Sequence, residues 1–371
     1  MYKKFFILFF VIASLFLLTF SVTAIDVSAK GAVLLEMQSK KIAYGNNPHI
    51  KLPMASTTKI MTAIVVIENA SLDDVVVIEP CMTNVEGSSI YLQVGEKLTI
   101  SDLLYALLLE SANDASVALA YSVGGSIENF AKMMNDKACE LGLSQTHFTN
   151  PHGLDNDEHY TTPYELGLIA VYAMESPVFS KIVSTYKKEI PLNNGEGVRV
   201  LINHNKLLRA YDGAIGIKTG FTKKSGRCLV SCAERDGVKL VCVTLNAPND
   251  WNDHKAMLDF GFEKYENFKL TDNYSYTIRL NSIGGDKESF LAKSQGALNL
   301  TLEKNNVNIS AVLEANRLIS APINKGDTVG RIVFYNNDLE IGSVPVKAAE
   351  NVKTLNYKKS FFEGFFKQWK K

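Results

Sequence analysis

A serine and a lysine three residues apart form the most informative stretch of the chain, in which Pro53-Met54-Ala55 leads into Ser56-Thr57-Thr58-Lys59. Apolar residues recur at helical spacing until about Asn69, so we predict that a loop becomes a helix near Ser56. Positions three apart share a helix face, so the hydroxyl of Ser56 and the amine of Lys59 can meet. A neutral lysine can take the hydroxyl proton, and the pair therefore predicts covalent acyl transfer on Ser56.

The serine–lysine spacing is not specific by itself. The same spacing recurs at Ser184 and Lys187. For either pair, the alternative is an ordinary helix start whose lysine is solvated.

A second polar group interrupts a long apolar segment, Leu98–Val123. Thr99 and Asp102 fit a capping box, and helical periodicity follows until it breaks at Glu110–Asp114. A polar break between apolar helices packs poorly unless it faces a cavity, so Ser111 and Asn113 are candidates for a cleft wall. A simple turn between helices is the alternative.

A third stretch, Ala214–Thr222, contains Lys218-Thr219-Gly220. Two β-type runs follow it, Cys228–Ala233 and Val238–Leu245, and the turns between the three runs are short. We predict three antiparallel strands, with Lys218 on the first and at the edge of the sheet.

Five cysteines are present, and their spacing does not suggest a disulfide framework. Asp236-Gly237 predicts a two-residue hairpin turn that pairs Ser231 with Cys242 and turns Cys232 to the other face. We therefore expect buried free thiols. No Cys/His spacing resembles a zinc site, and no metal or cofactor is predicted.

Composition and the N-terminus indicate an exported protein. The 371 residues carry 39 basic and 39 acidic side chains, so no global field favours nucleic acid. Lys3 and Lys4 precede an uncharged run, and Val22-Thr23-Ala24 supplies small residues, which predicts a signal peptide over residues 1–24. An uncleaved membrane anchor is the alternative, and either one places the remainder outside the cytoplasm.

The C-terminal third has a different pattern. Short alternating runs predict a small all-β domain, a sandwich or partial barrel, over residues 267–353. Residues 354–371 form a separate segment. In a helix, five aromatic side chains of this segment share one face and lysines occupy the other, which predicts a helix lying in a membrane surface. The alternative is a terminal helix docked on the protein. The aromatic residues are Phe361, Phe362, Phe365, Phe366 and Trp369.

The three chemical motifs together resemble the serine penicillin-recognising enzymes, whose signature is S-x-x-K, S-x-N and K-T-G in that order. The segments around Ser56, Asn150-Pro151-His152-Gly153-Leu154 and Gly216–Thr222 look like those of the D-alanyl-D-alanine carboxypeptidases, the low-mass penicillin-binding proteins. The order of segments is similar as well. The resemblance implies an α+β fold over residues 25–266, in which helices flank an antiparallel sheet beside an all-helical subdomain.

The resemblance also implies roles for the site residues. Ser56 would become acylated by a terminal D-Ala-D-Ala bond of a peptidoglycan stem, or by penicillin, while Lys59 takes its proton and Ser111 relays a proton to the leaving amine. Asn113 would orient substrate, and Lys218 would supply charge for the substrate carboxylate. Thr219 would hydrogen-bond the same carboxylate, Gly220 would give the substrate backbone room, and the N–H groups of Ser56 and Phe221 would form the oxyanion hole.

One departure and two rival functions remain. Some relatives carry histidine where this chain has Phe221. This difference affects how the side chain tunes substrate preference, but it leaves the backbone N–H that would donate to the oxyanion. His152 and His204 are expected to serve loop or core hydrogen bonding. A β-lactamase is the nearest rival, although Glu165, its candidate deacylating residue, is predicted on a helix surface. A membrane-tethered, non-catalytic peptidoglycan-binding module is the second.

Overall fold

The computed structural model describes residues 25–355 of the chain. The expected signal peptide lies outside the described residues, and so does the expected membrane helix apart from Thr354 and Leu355. Within 25–355, no single helix has the length and apolarity to cross a membrane. The consecutive helices Pro163–Glu175 and Pro177–Ser184 have the required length and apolarity only when they are taken together, and the angle between them is 102°.

A five-stranded antiparallel sheet forms the centre of the N-terminal domain, in the order β2-β1-β9-β8-β7. All six residues of β1 are buried, because the sheet is covered on both faces. β7 is an edge strand, as predicted for the segment that carries Lys218. The strands are β1 (Gly31–Glu36), β2 (Ile42–Asn46), β7 (Ala214–Thr222), β8 (Gly226–Arg235) and β9 (Val238–Leu245).

The predicted hairpin register is confirmed. Ser231 pairs with Cys242, and Cys232 pairs with Val241. Cys232 lies in the core on the helical-subdomain side of the sheet, whereas Cys242 packs with Met257 on the opposite side. All five cysteines fall within the described residues and are free thiols there.

Helices cover both faces of the sheet. On one face, α8 packs Met257 and Leu258 against Leu34 and Leu240. On the other face, six of the other helices share one large core with the sheet. The helices are α1 (Lys59–Asn69), α2 (Ile100–Tyr105), α3 (Asn113–Gly124), α4 (Ile127–Glu140), α5 (Pro163–Glu175), α6 (Pro177–Ser184), α7 (Leu207–Ala210) and α8 (Asp250–Lys264). Two antiparallel strand pairs complete this domain, formed by β3 (Val75–Val77) with β4 (Lys97–Thr99) and by β5 (Lys187–Leu192) with β6 (Gly197–Ile202).

The segment between α2 and α3 contains the predicted break. Thr99 and Asp102 form the capping box at the start of α2. The helix then widens into a π-turn over Ala106–Glu110 and ends at Ser111, whose φ of +61° is left-handed. This change of direction brings the polar residues after Glu110 to the centre of the domain.

The C-terminal domain is all β, as predicted. Six strands pair in the order β14-β16-β17-β12-β11-β15, and β10 pairs with β13 beside them. Phe290, Phe334 and Val346 lie at the centre of its separate core. The strands are β10 (Tyr265–Thr271), β11 (Thr277–Ile283), β12 (Ser289–Ser294), β13 (Leu298–Glu303), β14 (Ile309–Ala315), β15 (Leu318–Ser320), β16 (Thr328–Asn336) and β17 (Leu339–Ala348). The whole fold is therefore α+β followed by a small β-domain.

One sequence prediction about a side chain is wrong. Glu165 is not on a helix surface: it lies in the first turn of α5 and is buried. Its carboxylate accepts hydrogen bonds from the N–H of Gln145 and the hydroxyl of Thr146. A carboxylate is stable there because these donors replace the water that burial removes.

Candidate active site

Ser56 lies in a 3-10 turn, Ala55–Thr58, that leads directly into α1. The hydroxyls of Thr57 and Thr58 donate to the carbonyls of Met54 and Ala55, which fixes the turn from within. Ala55 has a φ of +47°, a left-handed conformation that costs a non-glycine residue free energy. Ser56 is half-buried while the residues on either side of it are buried, so its side chain is the accessible one in the turn.

Lys59 is fully buried at the start of α1, and its amine has three oxygen neighbours. Its Nζ lies 2.7 Å from Oδ1 of Asn113, 2.7 Å from the carbonyl oxygen of His152 and 3.1 Å from Oγ of Ser56. A neutral amine has two N–H groups and one lone pair. Asn113 and His152 offer only acceptors and take the two N–H groups, so the lone pair remains for the hydroxyl of Ser56.

The electrostatics of the site favour the neutral amine. Burial, first, and the positive charge of Lys218, second, lower the pKa of Lys59 well below its usual value, while Asp114 opposes this. The carboxylate of Asp114 is itself occupied, since it accepts hydrogen bonds from the hydroxyl of Ser89 and the N–H of Leu92.

Asn113 links the amine to the loop across the cleft. Its Oδ1 accepts from Lys59, its Nδ2 donates to the carbonyl of Glu86, and its N–H donates to the carbonyl of Ser88. Ser111 is buried beside it. Among residues 25–355, the Ser111 hydroxyl makes no hydrogen bond to Ser56 or Lys59.

The loop Asn150–Leu154 supplies the second acceptor for the Lys59 amine through its backbone. Oδ1 of Asn150 accepts from the N–H of Gly153, which closes a tight turn and orients the carbonyl of His152 toward Lys59. Gly153 has a φ of +88°, and a Cβ there would lie 2.0 Å from the carbonyl oxygen of Ala55. Only glycine fits this contact between the loop and the turn that carries Ser56.

His159 forms a buried hydrogen bond to the turn that carries Ser56. Its Nδ1 accepts from the N–H of Thr149, so its Nε2 carries the proton and donates to the hydroxyl of Thr58 at 2.7 Å. Thr58 donates in turn to Ala55. Burial is the main reason that the pKa of His159 is lowered to about 3 and that of His152 to about 4, so both imidazoles are neutral at physiological pH.

β7 closes the other side of the site. Lys218 is 2% exposed, its Nζ donates to the carbonyl of Thr219 at 2.9 Å, and burial lowers its pKa to about 7. A Cβ on Gly220 would lie 3.1 Å from the backbone nitrogen of Ser56. The strand therefore runs in contact with the Ser56 N–H, and Phe221, next along it, is 65% exposed.

Glu110 lies between β6 and the interhelical break. One carboxylate oxygen accepts from the N–H of Ile202, and the other lies 3.0 Å from Nε2 of His204. The Glu110 charge raises the pKa of Lys218 against the effect of burial. His204 therefore contacts Glu110, and it does not contact Ser56 or Lys59.

Comparison with known proteins agrees with this geometry. Residues 18–249 match the family described as D-alanyl-D-alanine carboxypeptidase, and residues 265–354 match the C-terminal domain of penicillin-binding protein 5. The carboxypeptidase DacF of Bacillus subtilis is 33% identical over 340 residues, which cover 89% of this chain and 87% of DacF. DacC of Escherichia coli is 30% identical over 354 residues, which cover 90% of this chain and 86% of DacC.

The chain belongs to the D-alanyl-D-alanine carboxypeptidase family. Its fold agrees as well: the crystal structure of penicillin-binding protein 5 from Haemophilus influenzae superposes with a TM-score of 0.68 at 27% identity, covering 90% of this chain and all of that one. These relatives favour the carboxypeptidase over the β-lactamase and the binding module.

In this family member, the three predicted motifs meet around the Lys59 amine, but the contacts they make with it differ. Ser56, Lys59 and Asn113 are joined by hydrogen bonds, whereas Lys218 acts on Lys59 through its charge. The carbonyl of His152 and the His159–Thr58 hydrogen bond were not predicted. A backbone acceptor leaves no residue-type signal, and His159 lies 101 positions from Thr58.

Proposed function

We propose that this protein is a serine-type D-Ala-D-Ala carboxypeptidase that removes the terminal D-alanine from peptidoglycan stem pentapeptides. One observation carries the proposal. The Lys59 amine lies 3.1 Å from the Ser56 hydroxyl, and both of its protons have other acceptors.

Acylation follows from that arrangement. The Ser56 hydroxyl gives its proton to the lone pair of Lys59, and Oγ attacks the carbonyl carbon between the two D-alanines. The developing oxyanion accepts from the N–H groups of Ser56 and Phe221. The C–N bond breaks, Ser111 relays the proton from Lys59 to the leaving amine, and D-alanine departs. Water then hydrolyses the Ser56 ester, while penicillin forms an ester that persists.

Substrate recognition uses the third motif. Lys218, charged, and the Thr219 hydroxyl bind the terminal carboxylate, and Asn113 orients the peptide. Gly220 keeps β7 in contact with the turn that carries Ser56, so substrate lying along this edge strand reaches the nucleophile directly. No cofactor or metal enters this scheme.

The decisive experiment pairs two measurements on the same preparation. A stem pentapeptide should release one D-alanine per molecule, and benzylpenicillin should add its mass to the peptide containing Ser56. Ser56→Ala should abolish both. Rapid turnover of penicillin would instead indicate a β-lactamase, and wild type that takes up no label would indicate the binding module.

We also propose a division of the chain and a location. Residues 1–24 direct export, 25–266 carry out catalysis, 267–353 form the β-domain, and 354–371 attach the protein to the outer face of the bacterial cytoplasmic membrane. The basic and aromatic composition of the last segment supports this. Deleting Lys358–Lys371 should release active protein from membranes, and continued sedimentation after confirmed signal cleavage would refute the attachment.

A further inference from the structure

A cationic cavity lies in the β-domain and shares no residue with the catalytic site. It has a volume of about 350 Å³ and is formed where the ends of β12 and β17 meet the turn around Gly326. We call it the lysine pocket. Its polar and aromatic lining consists of Tyr274, Lys293, Gln295, Lys325 and Lys347.

Two of these lysines oppose each other directly. Lys293 on β12 pairs with Lys347 on β17 in the antiparallel register. Like charges in directly opposite cross-strand positions destabilise a sheet. Their juxtaposition therefore indicates a charge requirement other than folding.

The lysines of the pocket are not neutralised by the protein. Across residues 25–355, none of Lys293, Lys325 and Lys347 takes part in an ion pair, although Lys269 and Lys287 in the same domain do. Two carboxylates close to the pocket in the sequence have other contacts: Asp272 pairs with Lys269, and Asp327 accepts a hydrogen bond from the N–H of Asn324.

The rest of the lining is held in place by backbone hydrogen bonds. The N–H of Tyr274 donates to Ser294, and that of Gln295 donates to Pro345. The ring of Tyr274 is 60% exposed, with its centre 5.9 Å from Nζ of Lys293. An amide and an aromatic face thus border three ammonium groups, which suits a compact anion carrying a small polar organic group.

The pocket and the end of the described chain belong to the same antiparallel ladder, in which Lys347 pairs with Lys293 and Thr354 pairs with Gly285. The N–H of Lys325 donates to the side chain of Asn351, and Ile323 pairs with Val352. Leu355, three residues further, is hydrogen-bonded to Gly284. The segment proposed to bind membrane begins there, at the turn end of the hairpin formed by β11 and β12, whereas Lys293 lies at the open end of that hairpin. The pocket and the point of attachment therefore lie at opposite ends of the hairpin and would contact the membrane at two separate places.

We propose that the lysine pocket binds the phosphodiester headgroup of an anionic lipid. Lysine binds phosphate as a point charge, and a basic residue near an anionic surface contributes about 1 kcal/mol to binding. A cavity of this size accommodates a headgroup but not a folded partner. The contact is a second attachment site, separate from the C-terminal segment, and the two sites together would hold the β-domain in a fixed orientation on the membrane.

The test uses the full mature chain and vesicles of phosphatidylglycerol and phosphatidylcholine in equal parts. The variant Lys293→Gln/Lys325→Gln/Lys347→Gln should bind these vesicles at least about tenfold more weakly. The control, Lys30→Gln/Lys40→Gln/Lys97→Gln, removes the same charge from exposed positions outside the pocket and should change binding less than about twofold. Penicillin acylation should be unchanged in both.

A soluble headgroup distinguishes binding of a lipid phosphodiester from binding of free inorganic phosphate. By calorimetry, glycerophosphoglycerol should bind wild type and not the pocket variant. Equal weakening of vesicle binding in both triple variants would overturn the proposal, because it would show a non-specific charge effect. Binding of inorganic phosphate with unchanged vesicle affinity in the pocket variant would also overturn it. Neither result depends on the carboxypeptidase activity.

Discussion

The protein places lysines in two opposite environments. In the catalytic domain, Lys59 and Lys218 are buried, close enough to repel each other, and have lowered pKa values. In the β-domain, Lys293 and Lys325 are exposed and Lys347 is half-buried. The same side chain therefore serves as a proton acceptor at Lys59, which is buried beside a second cation, and as a charged group that binds an anion at Lys218 and in the lysine pocket.

The largest expected effect tests the proton acceptor. Lys59→Arg keeps the positive charge and the donors but cannot be deprotonated, so penicillin acylation should slow about ten-thousandfold or more. Lys293→Arg in the β-domain should acylate at the wild-type rate. Mass spectrometry of timed samples measures both. A modest slowing in Lys59→Arg would show that another group takes the Ser56 proton.

The next comparison concerns packing. Gly153→Ala and Gly326→Ala both impose a side chain on a left-handed backbone, at φ of +88° and +98°. Only at Gly153 does the new Cβ meet backbone, whereas nothing lies within 4 Å at Gly326. Gly153→Ala should lower the free energy of unfolding by at least about 3 kcal/mol and Gly326→Ala by about 1 kcal/mol. Similar losses in urea denaturation would contradict the close contact.

Lys218 allows a test by pH. Its pKa of about 7 in the free protein means that the amine loses its charge as pH rises through 7. Binding of the substrate carboxylate should weaken, so kcat/KM should fall on the alkaline side through a rise in KM. Lys218→Arg should remove this alkaline decline, while Lys218→Gln should lower kcat/KM about ten- to hundredfold at neutral pH. An unchanged decline in Lys218→Arg would assign it to another group.

The last comparison concerns the stability of the two domains in acid. His254 is fully buried between the hydroxyls of Ser231 and Thr244, and burial lowers its pKa to about 3. Between pH 6.5 and 3 the unfolded chain binds the extra proton, so the free energy of unfolding falls as pH drops, by about 1.4 kcal/mol per pH unit for this residue.

All six histidines precede residue 255, so the β-domain should not share this sensitivity. Fluorescence of Trp251, on the same helix as His254, reports the catalytic domain in urea titrations at each pH. His254→Asn should make the dependence on pH shallower. Equal acid sensitivity of both domains would exclude the histidines as its cause.

The sequence predicted those parts of the fold that depend on local rules. The capping box of Thr99 and Asp102, the hairpin register of Ser231 and the edge position of β7 all follow from periodicity and turn chemistry. No prediction was made for β2, a half-exposed edge strand with Gly45 and Asn46 at its end. No prediction was made for α6, whose eight residues follow α5 after a single capping serine.

The sequence predicted the side chains of the site, but it did not predict the backbone and tertiary contacts that hold them in place. Ser56, Lys59 and Asn113 form recognisable motifs, and the structure joins them. The His152 carbonyl is a backbone group, and the buried state of Glu165 depends on donors from the distant Gln145–Thr146 segment. Tertiary contacts of this kind have no periodicity in the sequence.

The three oxygens around the Lys59 amine come from the turn before α1, the start of α3 and the loop after residue 150. Reactivity of Ser56 toward penicillin therefore requires that all three segments be correctly assembled at once. A fluorescent penicillin would thus count native molecules, and the fraction labelled during refolding would follow the completion of the helical subdomain in real time.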